Sequence, residues 1–288
     1  STKNIIFMEE GEVAVLSRDS FKVIDLEGKT VFKKVTAITW DIALAQRAGF
    51  KHFMLKEINE QPKILERILS SRINQQTGQI SFSEQNIDEG RLKEIKNIFI
   101  VACGTAFHAG LVGKYVLESL CSLPVSIDVS SEFRYRDPLV NSDTLVIAIS
   151  QSGETADTLA GVREARKRGS KVLSICNVLG STLTRESDGI IYTHAGPEIG
   201  VASTKAYTAQ LAAIYLFAFY LARIRRSLSE VVLGKNLDSL CKLPHLMAHI
   251  LKEQSLIANL SRRHSHFGSF LYLGRNINFP SALEGALK

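Results

Sequence analysis

The 288-residue chain reads as an α/β protein built on a parallel sheet. Three observations carry that reading. Between residues 97 and 192, short apolar runs recur at Asn97–Ala102, Val125–Asp128, Thr144–Ile149, Lys171–Cys176 and Gly189–Tyr192. Helix-like segments follow most of them. The runs are near-continuously apolar rather than alternating, as strands are when helices cover both faces of their sheet. In such a sheet, ligands sit outside the carboxyl ends of the strands.

The first 40 residues predict short strands. Asn4–Met8 and Val13–Leu16 flank Glu9-Glu10-Gly11-Glu12, a hairpin signal. Phe21–Asp25 alternates, and Leu26-Glu27-Gly28-Lys29 turns before Thr30-Val31-Phe32. This is too little to form a domain alone and reads as the tail of one that begins upstream. Residues 41–72 are patterned as helix, with breaks expected near Gly49 and Pro62. Residues 73–90 are polar and weakly patterned, and read as a linker.

Within the α/β segment, helices are expected over His108–Leu120, Thr155–Arg168 and Ser203–Arg223. Residues 224–265 are helical in pattern with a break at Pro244. Ser269–Leu273 reads as another strand, followed by Gly274 and a helix from about Pro280. Apolar strand, glycine, polar loop, helix occurs both here and at Ile100–Gly104, a weak sign of a second copy of the fold beginning near residue 265. The chain breaks off within that last helix, and so reads as an internal segment of a longer protein.

Composition narrows the function. The net charge of +6 is spread without a basic block, which argues against nucleic acid and leaves room for a small anionic substrate. Cys103, Cys121, Cys176 and Cys241 form no Cys-x-x-Cys pair. This argues against zinc and disulfides and for a reducing, cytoplasmic setting. The seven histidines show no metal spacing. The most apolar run, Ala209–Ala222, is too short to cross a bilayer and reads as a buried helix. No signal peptide opens the chain.

The residues richest in chemistry are Ser150-Gln151-Ser152-Gly153-Glu154-Thr155. They join a strand to a helix, whose first N–H groups are unpaired and whose dipole is positive at that end. Ser150, Ser152 and Thr155 add hydroxyl donors, and Gly153 permits close backbone approach. Such hydroxyls can simply cap the helix. Their crowding at one strand end favours a phosphate site instead. No Gly-x-x-x-x-Gly-Lys-Ser/Thr is present, so the nucleotide P-loop is not supported. Cys103-Gly104-Thr105-Ala106 ends the first sheet strand and places Thr105 at the same level if the strands are neighbours. Cys103 reads as a small buried hydrophobe rather than a reactive thiol. Gly196–Lys205 is a loop of small residues suited to a ligand. Its Ser203 can be a plain N-cap, and Glu198 and Lys205 are equally readable as functional groups or a surface pair. The charges of Glu132–Asp137 read as a structural salt-bridge network. Glu284 and Lys288, four apart on one helix face, read in isolation as a surface ion pair.

Five ordered motifs resemble those of the isomerising glutamine–fructose-6-phosphate aminotransferases. They are Cys103-Gly104-Thr105, Glu132-Phe133-Arg134-Tyr135, the run from Ser150 to Thr158, Glu198–Lys205 and Ala282–Lys288. The segment Lys51–Ile58 with Gln61-Pro62 resembles the stretch joining the two halves of those enzymes. The resemblance implies the end of a glutaminase domain at 1–40, joining helices and linker at 41–90, and a first sugar isomerase (SIS) domain at 91–229. That domain would be a flavodoxin-like three-layer sandwich. Connecting helices at 230–264 and a truncated second SIS domain from 265 would follow. By position, Thr105, Ser150, Gln151, Ser152, Thr155 and Val201 match substrate contacts, and Glu284 and Lys288 match active-site positions. The glutaminase nucleophile lies upstream and is not Cys103. The isomerisation base, a ring-opening histidine and an imine-forming lysine are expected downstream. The implied substrates are fructose 6-phosphate and glutamine, or ammonia delivered from the glutaminase domain, with glucosamine 6-phosphate as product. No cofactor is implied, and a homodimer or larger assembly is. Where that family usually has serine, this chain has Ala106, which removes one hydroxyl. Two other readings remain: an SIS module that senses a sugar phosphate without catalysis, and a simple aldose–ketose isomerase. The strands at 1–40 and the joining segment speak against the second, and idle Glu284 and Lys288 against the first.

Overall fold

The computed structural model describes residues 4–37, 46–82, 84 and 86–288. Its contacts divide the chain into two units, residues 1–46 and 47–288. In the first unit, β1 (Asn4–Ile5) pairs antiparallel with β5 (Thr36–Ala37). Between them, β2 (Val13–Leu16), β3 (Phe21–Ile24) and β4 (Thr30–Val31) form an antiparallel sheet. The expected hairpin of Asn4–Met8 with Val13–Leu16 therefore does not form. The Glu9–Glu12 turn exists, with Glu12 N–H donating to the Glu9 carbonyl at 3.2 Å. The local turn signal is correct, but β2 pairs with β3 instead, in the register Val13 to Ile24.

The second unit opens with α1 (Phe53–Arg72). The helix expected over 41–45 lies outside the described residues. Pro62 sits inside α1 without breaking it. A proline at this position leaves the Ile58 carbonyl without its helical partner. The Gln61 side-chain amide donates to that carbonyl at 3.0 Å and replaces the missing bond. The described residues of 73–88 are not a loose connection. Ile73 bridges Ile80, and Ile73, Ile80 and Ile87 are buried. The buried Arg72 guanidinium donates to both Glu84 Oε1 and the Tyr192 carbonyl at 2.6 Å, and lies over the Phe82 ring.

A short helix, α2 (Glu89–Glu94), leads into β6 (Asn97–Ala102). There follow α3 (Gly104–Cys121), β7 (Val125–Val129), α4 (Ser130–Tyr135) and β8 (Thr144–Ser150). Then come α5 (Ala156–Lys167), β9 (Lys171–Cys176), α6 (Thr182–Glu186), β10 (Gly189–Tyr192) and α7 (Lys205–Arg225). The strands form one parallel sheet in the order β10-β9-β8-β6-β7. Alternate residues of β6 feed opposite layers. Ile98 and Ile100 pack in one core with residues of α1, α3 and α7, while Phe99 and Val101 pack in another with Phe133 and Val162. This is the parallel sheet covered on both faces that the continuous apolar runs predict, and the three-layer sandwich that the resemblance implies. α7 is the one helix among the described residues long and apolar enough to cross a membrane, but it is a core helix packed on α3 and α1.

The segment beyond α7 continues as α8 (Glu230–Cys241), α9 (Leu243–Lys252) and α10 (Gln254–His264), with the expected break just before Pro244. The strand expected at Ser269–Leu273 is absent. Leu271 and Leu273 are about nine-tenths exposed. A strand needs a neighbour to take its backbone hydrogen bonds, and the five-stranded sheet ends at β7 and β10 without reaching this segment. The final helix, α11 (Asn278–Leu287), packs on α3.

The Arg72 anchor gives a stability test. Replacing Arg72 by Met leaves the Glu84 carboxylate and the Tyr192 carbonyl without this donor, and is expected to cost about 2–3 kcal/mol. A lowered urea midpoint at unchanged slope would report that loss.

Candidate functional site

β6 is the first strand of the sheet in sequence and lies between β7 and β8. The chain leaves β6 toward one edge and returns on the other side, so the order reverses between β6 and β8. A crevice opens at such a point, outside the carboxyl ends of the two strands. Ala102 stands opposite Ile149, which sets the loops following β6 and β8 at one level. Between them lies a pocket of about 170 Å³ lined by Cys103, Thr105, Ala106, Ile149, Ser150, Gln151, Ser152, Thr155, Ser203 and Gln210. Five of the expected site residues, from two stretches of sequence, thus meet in one cavity with Ser203 and Gln210.

The turn after β8 is tightly built. Ser150 Oγ accepts from Gly153 N–H at 2.9 Å and lies 3.3 Å from Thr155 Oγ1. Ser152 Oγ accepts from Glu154 N–H at 3.2 Å. Gly153 has φ +69°, and a Cβ there would run into the Ser181 hydroxyl and lie 2.8 Å from Cys176 Sγ. Glycine is required at this position both by conformation and by space, and the neighbour that demands the space is the following loop of the protein itself. Thr155 is the N-cap of α5, yet its side chain accepts nothing from the first turn. The hydroxyls therefore hold the turn rather than cap the helix, and the first N–H groups of α5 are left for another acceptor.

Thr105 is engaged differently. Its hydroxyl donates to Glu284 Oε1 at 3.0 Å and accepts from Lys288 Nζ at 3.0 Å. Lys288 also pairs with Glu284 at 2.7 Å, and His108 Nδ1 lies 2.6 Å from Glu284 Oε2. With its one proton turned to Glu284, the Thr105 side chain is not a free donor to an anion in this arrangement. Glu284 is buried, and burial together with the Glu284 charge pushes the neighbouring Tyr207 hydroxyl up to about 12. Glu284 and Lys288 are thus no detached surface pair: they form one cluster with the pocket wall. Val201 is fully exposed and is not among the pocket-lining residues. Cys103 is half-buried at the pocket rather than sealed in the core.

The loop before α7 is fixed by Glu57 and Glu60, which the sequence reading did not single out, together with Glu198 and Lys205, which it left open. Glu57 Oε1 accepts from Ile199 N–H at 2.6 Å and Gly200 N–H at 3.1 Å. A Cβ on Gly200 would lie 2.5 Å from Glu57 Oε2. Glu198 turns inward, accepting from Thr204 N–H, Ala206 N–H and Ser203 Oγ, so it supplies the cap that Ser203 was expected to provide. Lys205 pairs not with Glu198 but with Glu60 at 2.7 Å, and Lys56 pairs with Glu60 at 3.1 Å. Burial pulls the Glu60 carboxyl upward, but these two ammonium groups outweigh it and hold it below the usual glutamate range. The charges of the Glu132–Asp137 stretch are structural: Arg134 pairs with Asp157 and Arg136 with Asp128.

The SIS domain family matches residues 91–220, so the parallel sheet is that of an SIS domain. Over the whole chain, the glutamine–fructose-6-phosphate aminotransferase [isomerizing] of Caldanaerobacter subterraneus is 45% identical, and that of Methanosarcina acetivorans 44%. The C-terminal domain of glucosamine-fructose-6-phosphate aminotransferase from Francisella tularensis superposes with a TM-score of 0.79 at 40% identity, over 84% of this chain and 67% of that one. The chain belongs to the family of isomerising glutamine–fructose-6-phosphate aminotransferases. It spans about half the length of the curated relatives it matches. The glucosamine-6-phosphate deaminase of Thermotoga maritima shares the fold, with a TM-score of 0.64 at 20% identity over 82% of this chain and 66% of that one.

The Glu60 cluster predicts an acid response. A carboxyl held low in the folded state binds fewer protons than in the unfolded chain, so its contribution is full above the unfolded value and fades as pH falls through the folded one. Between about pH 5 and 3, Glu60→Gln is expected to flatten the rise of stability with pH. Urea melts of both forms across that range would show it.

Proposed function

We propose that this chain supplies the sugar-phosphate site of an enzyme that makes glucosamine 6-phosphate from fructose 6-phosphate and glutamine. The observation that carries the reading is the pocket at the carboxyl ends of β6 and β8. Ser150, Gln151, Ser152 and Thr155 crowd around the uncapped start of α5 there, and the Thr105–Glu284–Lys288 cluster forms the adjoining wall. Hydroxyls, an amide and free helix N–H groups suit a phosphate. Naming the substrate rests on the aminotransferase relatives.

In this reading the phosphate is an anchor. Holding it fixes C1 and C2 of the open-chain sugar against the reacting groups and removes rotational freedom from the chemical step. Glutamine is hydrolysed in the domain to which residues 1–40 belong, and ammonia adds to the C2 carbonyl with loss of water, giving the C2 imine. A carboxylate base then moves a proton between C1 and C2. Residues 91–229 form the first SIS domain, and residues from 265 begin the second. Glu284 and Lys288 act within the site, Glu284 holding Thr105 and the Lys288 ammonium, and Lys288 presenting positive charge at the wall. Val201 contributes through its backbone, in keeping with a side chain turned to solvent. The enzyme works in the cytoplasm as a dimer or larger assembly, as the family resemblance implies.

In the full-length enzyme, Gln151→Ala and Thr155→Val are each expected to raise KM for fructose 6-phosphate about five- to tenfold, one lost hydrogen bond apiece. Glutamine hydrolysis should be left largely intact. An unchanged KM in both variants would overturn the phosphate assignment.

A further inference from the structure

Thr105 lines the pocket, yet its one proton is committed to Glu284 Oε1 at 3.0 Å. Thr105 and His108 stand three apart on α3, and Glu284 and Lys288 four apart at the end of α11. The packing of α11 on α3 brings these two stripes together. The Glu284 side chain lies between them and is 8% exposed. Lys288 Nζ pairs with its Oε1 at 2.7 Å, and His108 Nδ1 lies 2.6 Å from its Oε2. A carboxylate has no proton to give, so His108 Nδ1 carries the hydrogen and donates it. Among the described residues, His108 is the donor to Oε2.

This division of donors makes the Thr105 proton dispensable to Glu284. A hydroxyl can turn about its Cβ–Oγ bond, so Thr105 can go on accepting from Lys288 Nζ, 3.0 Å away, while its proton points elsewhere. Oε1 then retains Lys288 and Oε2 retains His108, and neither buried oxygen is left bare. Without His108, Oε2 loses its donor, and the carboxylate must turn to recover one or hold the Thr105 proton more tightly. We propose that His108 is a positioning residue: by keeping Glu284 paired and in place, it frees Thr105 to turn its proton from Glu284 to an oxygen of the bound sugar phosphate. In this role His108 acts through Glu284 and Thr105 and does not touch the substrate. The proposal deepens the phosphate-site reading and rests on it.

Titration calorimetry of the full-length enzyme with fructose 6-phosphate tests this, using Thr105→Val, His108→Phe and His108→Asn. Asparagine carries its amide nitrogen on Cγ, where histidine carries Nδ1, and can donate from the same place; phenylalanine cannot. Thr105→Val and His108→Phe are each expected to bind about five- to tenfold more weakly, with His108→Asn close to the unaltered enzyme. In the Thr105→Val background, His108→Phe should add nothing, because both changes remove the same contact to the ligand. Equal weakening by His108→Phe in both backgrounds marks a structural role and would overturn the proposal. So would undiminished binding by His108→Phe, or an Asn variant as weak as the Phe one. A crystal structure of the unaltered enzyme with fructose 6-phosphate gives a check that needs no variant to fold. Thr105 Oγ1 should lie about 3 Å from a ligand oxygen, with His108 Nδ1 still at Glu284 Oε2. Thr105 out of reach of the ligand, or Glu284 parted from His108, sinks the proposal. If Thr105→Val binds like the unaltered enzyme, the proposal fails and the α5 turn keeps its assignment. If the unaltered enzyme does not bind fructose 6-phosphate, the phosphate-site reading fails first and takes this proposal with it.

Discussion

The parallel pairing of β6 with β8 is the constraint on which the site depends. The two strands are separated in sequence by α3, β7 and α4, yet Ala102 stands beside Ile149 in register. That register sets the loop bearing Thr105 and the loop bearing Ser150 to Thr155 on one level and leaves a crevice between them. The pairing is itself secured by burial on both faces. Ile98 and Ile100 point into the layer of α3 and α7, and Phe99 and Val101 into the layer of α4 and α5. A slip of one residue would exchange the two sets and separate the loops. The geometry of the pocket is thus decided by the hydrophobic packing of the strands beneath it.

A second layer of control comes from α1. Lys56, Glu57, Glu60 and Gln61 lie on its N-terminal half, and each meets α7 or the loop before it, directly or through Glu60. Its last residue, Arg72, grips the end of β10. These are buried or half-buried polar contacts, and each depends on the helix running unbroken through Pro62. The Gln61 side chain is therefore doubly placed: its Nε2 replaces the missing backbone donor, and its Oε1 meets Thr208 Oγ1 at 2.5 Å.

What the sequence disclosed, and what it concealed, follows from the range of each interaction. Strands β6, β9 and β10 were legible to the residue, because a doubly buried strand is a contiguous apolar run. The crowding of hydroxyls at the end of β8 was legible because its residues are adjacent. Pairing was not legible: Val13–Leu16 is recognisable as a strand, but nothing local says that it joins Phe21–Ile24 rather than Asn4–Met8. Ser269–Leu273 has the composition of a strand and lacks a neighbour. Pro62 misled because the compensating donor is a side chain. Glu57 and Glu60 were hidden because their partners lie some 140 residues away in sequence.

The grip of Glu57 on the backbone of Ile199 and Gly200 has a thermodynamic consequence. The loop that brings Ser203 to the pocket is held by the protein's own carboxylates, Glu57 and Glu198. Its conformational entropy is surrendered when the chain folds, not when a ligand arrives. Association then has little loop ordering to oppose it, and the affinity of the pocket reflects the groups it presents rather than the work of closing around its guest.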